Sequence, residues 1–326
     1  MAAPFFLQPA EAQIASFTEA AKLLLQHYDL GPFDIACMLF EFNATFSVTT
    51  QTGKKFALRI NVNSTRTLEN MRAEAAWVSH LDSHGAANVA TPIPNNAGQF
   101  ITTMHHADSD QRVAAILYSW LEGEDVGHSP QLEQLQALGN TMAHMHQAAV
   151  DFSLPMGAKL PDFNDLLWGT QDFLFGKKSP LSKADTRLLE QASVRIMHHT
   201  DALFARYPAQ VIHADLHGHN LKWHDNRLYV LDFDDSGMGI PLQDIAIALY
   251  YLDSKEQEQA LLNGYQSVCP VPQHTYLEMQ SLRVQRRLML LNYLFETKNQ
   301  KHSAMAEAFL AKTRKVIADY LMDSAE

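Results

Sequence analysis

Hydrophobic positions recur with two different periods in the two parts of this chain. Up to about residue 118 they come in short runs bounded by turn residues. Leu39–Thr50 reads as two strands joined by a polar turn, and Lys54–Ile60 reads as a third. Beyond Pro92 and Pro94, the runs Gly98–Met104 and Ala114–Tyr118 complete a small antiparallel sheet of about five strands. Between them, Leu68, Met71, Ala75, Val78 and Leu81 recur at three and four residues, which predicts one amphipathic helix from Thr65 to about Ser83. From Pro130 onward the period is helical. Leu132, Leu135, Leu138, Met142 and Met145 form one stripe ending near His146, and Thr186–Tyr207 forms a second helix. A tight turn over Ser236–Pro241 leads into a helix beginning near Leu242, and Glu256–Glu326 carries three or four more. The polar stretch Gly176–Asp185 reads as a surface loop.

One polar segment stands out against this pattern. Val211–Asn220 is followed by Leu231–Asp235, which sets Asp215, Asn220 and Asp232 at spacings of five and then twelve residues. Val211-Ile212 reads as a short buried strand or turn and Asn220–Trp223 and Leu228–Leu231 as short strands, with Asp225-Asn226 as a hairpin turn, so the acids and the amide fall at strand ends. A hydroxyl attacking phosphorus must lose its proton, and Asp215 is the candidate base beside it. Mg²⁺ takes oxygen ligands and keeps several waters, so Asn220, Asp232 and phosphate oxygens suffice to hold it. Two other classes use similar pieces. Asp215-Leu216-His217-Gly218 matches the Asp-x-His-Gly of metallophosphoesterases, but the further Gly-Asp and Gly-Asn-His clusters those sites need are missing. Asp232–Ser236 fits an aspartyl-phosphate nucleophile loop, a reading that leaves Asp215 and Asn220 without a task.

Together the two motifs resemble those of the aminoglycoside phosphotransferase and choline kinase family, relatives of the eukaryotic protein kinases, with the nearest likeness to homoserine kinases of type II and SrkA-type stress kinases. The resemblance implies an α+β, bilobal fold, with a small antiparallel-sheet lobe over residues 1–118 and a larger, mostly helical lobe over 119–326. It implies ATP and Mg²⁺ as cofactors, Asp215 as base, Asn220 on the metal, and Asp232 in the place of the Asp that opens Asp-Phe-Gly. Asp234 stands where that motif has Gly. By the same likeness Asn43–Thr45, which lack the glycine triplet of protein kinases, lie near the phosphates. Arg59 takes the place of the phosphate-anchoring lysine, and Glu74 that of the helix glutamate holding it, with Glu69 as rival. Ser119, Trp120 and Leu121 fall at the hinge that reads the purine edge. A plain surface arginine and a plain packed tryptophan are the alternatives for Arg59 and Trp120. Asp244 resembles the family Asp that accepts backbone hydrogen bonds from the catalytic loop, and His146 reads as a packing or hydrogen-bonding group.

The interval from Asp232 to the next helix leaves no room for an activation segment or an Ala-Pro-Glu end, which favours a small-molecule hydroxyl acceptor: an amino alcohol, homoserine-like or aminoglycoside-like compound. A SrkA-type serine/threonine protein kinase and a non-catalytic nucleotide-binding or scaffolding module are the alternatives. The 326 residues, 47% hydrophobic, can bury a substantial core. A net charge of −11 disfavours a nucleic-acid partner, and no stretch approaches a membrane span. The two cysteines, Cys37 and Cys269, read as reduced thiols in a cytoplasmic protein, and a homodimer is kept open.

Overall fold

The computed structural model describes residues 5–297 and 299–323. From the N-terminus its elements are α1 (Ala10–Leu25), β1 (Phe33–Phe40), β2 (Asn43–Thr50), β3 (Lys55–Asn61), α2 (Leu68–Ser83), β4 (Asn88–Val89), β5 (Pro92–Ile93), β6 (Ile101–His106), β7 (Gln111–Ser119) and β8 (Glu124–Asp125). There follow α3 (Leu132–Val150), α4 (Lys183–Arg206), β9 (Gln210–Ile212), β10 (Leu221–His224), β11 (Arg227–Val230), β12 (Gly237–Gly239), α5 (Pro241–Tyr250), α6 (Lys255–Gln266), α7 (Tyr276–Glu296), α8 (Gln300–Ser303) and α9 (Ala306–Met322). The chain forms two units: a sheet-rich lobe of the residues through Glu124 with Phe152–Lys159 and Lys222–Asp234, and a helix-rich lobe of Asp125–Asp151, Leu160–Leu221 and the residues from Asp235 on. The architecture is α+β and protein-kinase-like.

In the first unit the sheet runs β1-β2-β3-β7-β5, with β6 also on β7, and every pair is antiparallel. It therefore holds six strands, one more than the runs of apolar residues suggest; the extra one is β5, only two residues long. Alternation assigns the faces. Phe46 and Val48 of β2 and Leu58 and Ile60 of β3 point to one side, where Phe17, Leu24 and Leu25 of α1 cover them. Each such side chain contributes on the order of 2 kcal/mol by leaving water. On the other face Met71 and Ala75 of α2 meet Ala114, Ile116 and Tyr118 of β7, and Arg59 shares this face. The helix starts at Leu68, not Thr65, because Thr67 caps it: the Thr67 Oγ1 accepts from the Asn70 N–H at 3.2 Å and the Asn70 Oδ1 accepts from the Thr67 N–H at 2.9 Å.

Asp225 and Asn226, between β10 and β11, have φ of +48° and +57°. Both central residues are left-handed, as a two-residue type I′ hairpin requires. β11 also pairs in parallel with β4, Tyr229 opposite Asn88 and Val230 opposite Val89.

In the second unit α4, α7 and α9 share a core of Leu189, Ile196, Leu288, Leu291 and Ile317, while α5 is buried from Leu242 to Leu249. Two sequence expectations change here. Gly237–Gly239 forms a strand rather than part of a tight turn, Met238 pairing with Val211 of β9. The glycine serves close approach: a Cβ at Gly237 would lie 2.0 Å from the Phe163 ring. The loop expected over Gly176–Asp185 ends sooner, since α4 begins at Lys183 and Asp185 is buried in its first turn, its N–H capped by the Ser182 hydroxyl. Cys37 and Cys269 are free thiols. Among the described residues no helix is long and apolar enough to cross a membrane.

Candidate active site

The sequence-derived candidates fall into two clusters, one in each unit. In the sheet-rich lobe Arg59 is the centre. Its place on the α2 face of β3 leaves its guanidinium buried, and a buried cation needs counter-charge. Glu74 of α2 supplies it: the Arg59 Nη2 donates to the Glu74 Oε2, while the other carboxylate oxygen accepts from the Tyr118 hydroxyl at 2.9 Å. Glu69, the rival by sequence, contributes its backbone carbonyl to the Lys159 N–H instead. Two further carboxylates approach, Asp234 at 3.7 Å from Nη2 and Asp232 at 3.9 Å from Nη1. Burial works to lower the Arg59 pKa, but Glu74, Tyr118 and Asp234 outweigh it and hold the guanidinium well above its usual value. Asn43 donates to the Asp234 Oδ2 at 3.2 Å, and Thr45 stands opposite Arg59 across the β2–β3 ladder.

Three carboxylates surround this one guanidinium, so the cluster keeps an excess of negative charge, which suits a divalent cation and its phosphate ligands better than a bare anion. Asp232 has a side chain 55% exposed and a backbone φ of +58°. A non-glycine residue held left-handed carries strain of roughly 1–3 kcal/mol, and such residues gather at functional sites. No group of three or more His, Cys, Asp or Glu that could hold a metal ion occurs among the described residues.

Ser119, Trp120 and Leu121 lie at and just beyond the end of β7. Ser119 is engaged internally: its N–H donates to the Thr91 carbonyl at 2.9 Å, and its hydroxyl accepts from the Thr91 N–H at 2.8 Å. Trp120 is half-buried beneath the Lys55 ammonium, 5.5 Å from its ring.

The helix-rich lobe builds the second cluster on Asp244. This carboxylate, fully buried in the first turn of α5, accepts from the His213 N–H at 3.0 Å and the Ala214 N–H at 2.6 Å. The His146 Nε2 of α3 lies 3.1 Å from the Asp244 Oδ2, the oxygen that takes the His213 N–H, and the His146 Nδ1 lies 2.9 Å from the Tyr265 hydroxyl. Burial raises the Asp244 pKa, yet His146, His213 and the Ala214 N–H together bring it below the ordinary carboxylate value. The loop so anchored turns at Ala214, with φ of +69°, and presents Asp215.

Both oxygens of Asp215 are engaged. Its Oδ1 accepts from the Arg286 Nη2 of α7, and its Oδ2 accepts from the Asn220 Nδ2 at 2.9 Å with the His217 Nε2 at 3.2 Å. The His217 Nδ1 accepts from the His219 N–H at 3.2 Å, which places the imidazole proton on Nε2, facing Asp215. Burial again raises the carboxyl pKa, and Arg286, His217 and His213 outweigh it, leaving Asp215 ionised far below the usual range. Asn220 gives its amide N–H to both the side chain and the carbonyl of Asp215, which directs its amide oxygen, the atom a cation takes, away from that carboxylate.

Motif spacing singled out Asp215, Asn220 and Asp232, and the family resemblance singled out Arg59 and Glu74; the structure joins Arg59 to Glu74 and Asn220 to Asp215. Both missed Arg286 and Tyr251, whose hydroxyl accepts from the Arg286 Nη2 at 2.8 Å. A usable signal existed: Arg286 interrupts the buried stripe Leu282, Val284, Gln285 and Leu288 of α7, and a cation there requires a buried acid.

The sequence pattern of the phosphotransferase enzyme family matches residues 41–279, more than half of the chain. The amicoumacin kinase of Bacillus subtilis is 25% identical over 204 residues, which cover 60% of this chain and 56% of that kinase, less than two thirds of its length. The homoserine kinase of Brucella ovis is 28% identical over 264 residues, 76% of this chain and 74% of that one. Among solved structures, the amicoumacin kinase hAmiN in complex with AMP-PNP, Ca²⁺ and Ami superposes with a TM-score of 0.76 at 20% identity, over 94% of this chain and 96% of that one.

Proposed function

Since the chain belongs to the phosphotransferase enzyme family, we propose that it transfers the γ-phosphate of ATP to a hydroxyl of a small molecule, with Asp215 as the residue that orients the acceptor. The observation that carries this reading is the Asp215 carboxylate itself, ionised, held at both oxygens, and presented by a strained turn tied to Asp244. A carboxylate so fixed can hold an incoming hydroxyl in line and take its proton late, when the developing phosphate ester bond has made that proton acidic. Arg59, set by Glu74, offsets charge on the nucleotide through Nη1 and Nη2, with Asn43 and Thr45 beside it on β2. Ser119–Leu121 border the base, where the Trp120 ring offers an aromatic face. Asn220 and Asp232 carry the oxygens for Mg²⁺, which when bound neutralises charge on the phosphates.

A relative solved with AMP-PNP supports a nucleotide donor, and the relatives that are kinases of homoserine and amicoumacin support a small-molecule acceptor. Residues 233–240, between Asp232 and α5, are taken up by a short 3₁₀ turn and β12. That leaves no peptide platform and favours a small acceptor over a protein. The test is incubation with Mg²⁺ and γ-labelled ATP against pools of amino alcohols, homoserine, sugars, aminoglycosides and a generic protein, with Asp215→Asn as control. Asp215-dependent label in a small-molecule pool is the expected result; label on protein alone would replace this reading with a protein kinase.

A further inference from the structure

A cleft of about 490 Å³ lies in the sheet-rich lobe, bordered by the end of β3, the loop leading to α2, the first turns of α2 and the start of β7. That volume falls in the range of small-molecule sites, roughly 300–1,000 Å³. No residue of the Arg59 cluster lines it. Its base is apolar and buried, with Val62, Met71 of α2 and Ala114 of β7. Its other lining is polar and held in place. The Arg66 N–H donates to the Ser64 hydroxyl at 3.1 Å and the Arg66 carbonyl accepts from the Asn61 Nδ2 at 2.9 Å, so three lining residues of the loop brace one another. On β7 the Arg112 Nη2 donates to the Thr103 Oγ1 of β6 at 3.0 Å, which ties that guanidinium to the sheet.

Arg66 and Arg112 are the ionisable members of this lining, and no carboxylate is among them. That balance runs against the chain, in which 36 Asp and Glu outnumber 25 Lys and Arg. The acids of the β6–β7 turn are drawn elsewhere: Asp108 accepts from the Ser16 hydroxyl, and the Asp110 Oδ1 lies 3.4 Å from the His105 Nε2. Among the described residues no carboxylate pairs with Arg112. We infer that this cleft is a binding site for a small molecule that carries two negative charges on neighbouring oxygens, as a phosphate monoester or a vicinal dicarboxylate does, attached to an apolar body. A guanidinium meets such a group through a planar fork of two parallel N–H bonds, and two guanidiniums match its two charges. Asn61, Ser64 and Gln111 add neutral hydrogen-bonding groups for the remaining oxygens. The apolar base then covers the body of the ligand, so charge selects the head and burial adds affinity. The site is separate from the groups assigned to phosphotransfer and does not depend on that reading.

Four probes separate head from body: phenyl phosphate, phthalate, inorganic phosphate and benzoate. Each is titrated calorimetrically into the full chain saturated with Mg²⁺ and AMP-PNP, so that the nucleotide side is already occupied. Phenyl phosphate or phthalate is expected to bind saturably and more tightly than benzoate, which has one charge, and phenyl phosphate more tightly than inorganic phosphate, which has no body. The tighter of the two dianions identifies the head group. Arg112→Gln and Arg66→Gln are each expected to weaken that binding about tenfold or more, the loss of one charge-assisted hydrogen bond. Lys22→Gln, which removes an exposed cation of α1 outside the cleft, should leave it unchanged. Arg112 is exposed, so an unfolding midpoint equal to wild type checks that its variant is native, and this variant alone decides the matter if Arg66→Gln does not fold. Binding that also weakens as NaCl is raised fits exposed arginines, whose field salt screens. No saturable binding of either dianion, an affinity that Arg112→Gln leaves unchanged, or benzoate binding as tightly as the dianions would overturn the inference.

Discussion

Arg286 contributes a cation to Asp215 from a helix 71 positions further along the chain. Both partners are largely buried, with side chains 10% and 16% exposed. Removing one of them leaves the other as an uncompensated buried charge, a loss of roughly 3 kcal/mol for such pairs. Arg286→Gln is therefore expected to lower the urea midpoint and also to cut kcat more than it raises the KM for ATP, since the nucleotide-side groups around Arg59 are untouched. In the double variant with Asp215→Asn the stability loss should be smaller than the sum of the single losses; additive losses would mean that the two side chains do not act as a pair. At this scale the sequence was legible only where the chemistry is local. Asp215, Asn220 and Asp232 lie within one segment, and Arg59 and Glu74 are 15 residues apart. Arg286 and Tyr251 meet Asp215 through tertiary packing, and no short spacing records that.

Helices stood out by their period, and their ends by their caps, so α2, α3, α4 and α5 lie close to the expected segments. β12 was not legible, because two glycines flanking a methionine read as a turn until Phe163 and Val211 are seen against them. Nor was a helix read at α1, whose buried Phe17, Ala20, Ala21, Leu24 and Leu25 do follow a helical stripe. Close approach also governs α3 on α6, where a Cβ at Gly139 would lie 1.9 Å from the Leu261 carbonyl oxygen. Gly139→Ala gains ~1 kcal/mol of helix propensity in isolation. In the protein it is expected instead to destabilise by about 2 kcal/mol, since backbone must move to admit the methyl; a urea titration in which the variant equals or exceeds wild type would refute the tight packing. A second element-level tie joins α4 to α9. Asp185 accepts from the Arg314 Nε at 2.7 Å, and the Arg314 guanidinium, with the Ser182 hydroxyl, holds its carboxyl at about 2 against an ordinary 3.8. The folded state thus binds this proton less tightly than the unfolded chain does, so the stabilisation is complete above about pH 4 and is lost as pH falls toward 2. The difference in unfolding midpoint between wild type and Asp185→Asn should be constant from pH 7 to pH 5 and vanish near pH 2, and a difference that persists at pH 2 would assign the effect to packing instead.

For the molecule as a whole, each unit has its own core and its own cluster of functional groups, and the two clusters differ in charge logic. Around Arg59 the acids outnumber the cation, the balance expected of the proposed metal-nucleotide role; around Asp215 the acid is matched by Arg286 and hydrogen-bonded at both oxygens, the fixation expected of the proposed acceptor-orienting role. The clusters should therefore separate in their response to ligand. A ligand at 100 times its Kd stabilises the folded state by ~2.7 kcal/mol, and the rise in Tm reports it. With Mg²⁺ and AMP-PNP, Asp215→Asn is expected to keep the wild-type rise in Tm while losing a factor of about 10²–10⁴ in turnover, the usual contribution of a positioned base. Asp232→Ala is expected to keep whatever rise the nucleotide gives without metal and to lose the part that Mg²⁺ adds. Equal loss of ligand stabilisation in both variants would show that the two carboxylates serve one binding site in common, and the division between a nucleotide-holding group and an acceptor-orienting group would then have to be abandoned.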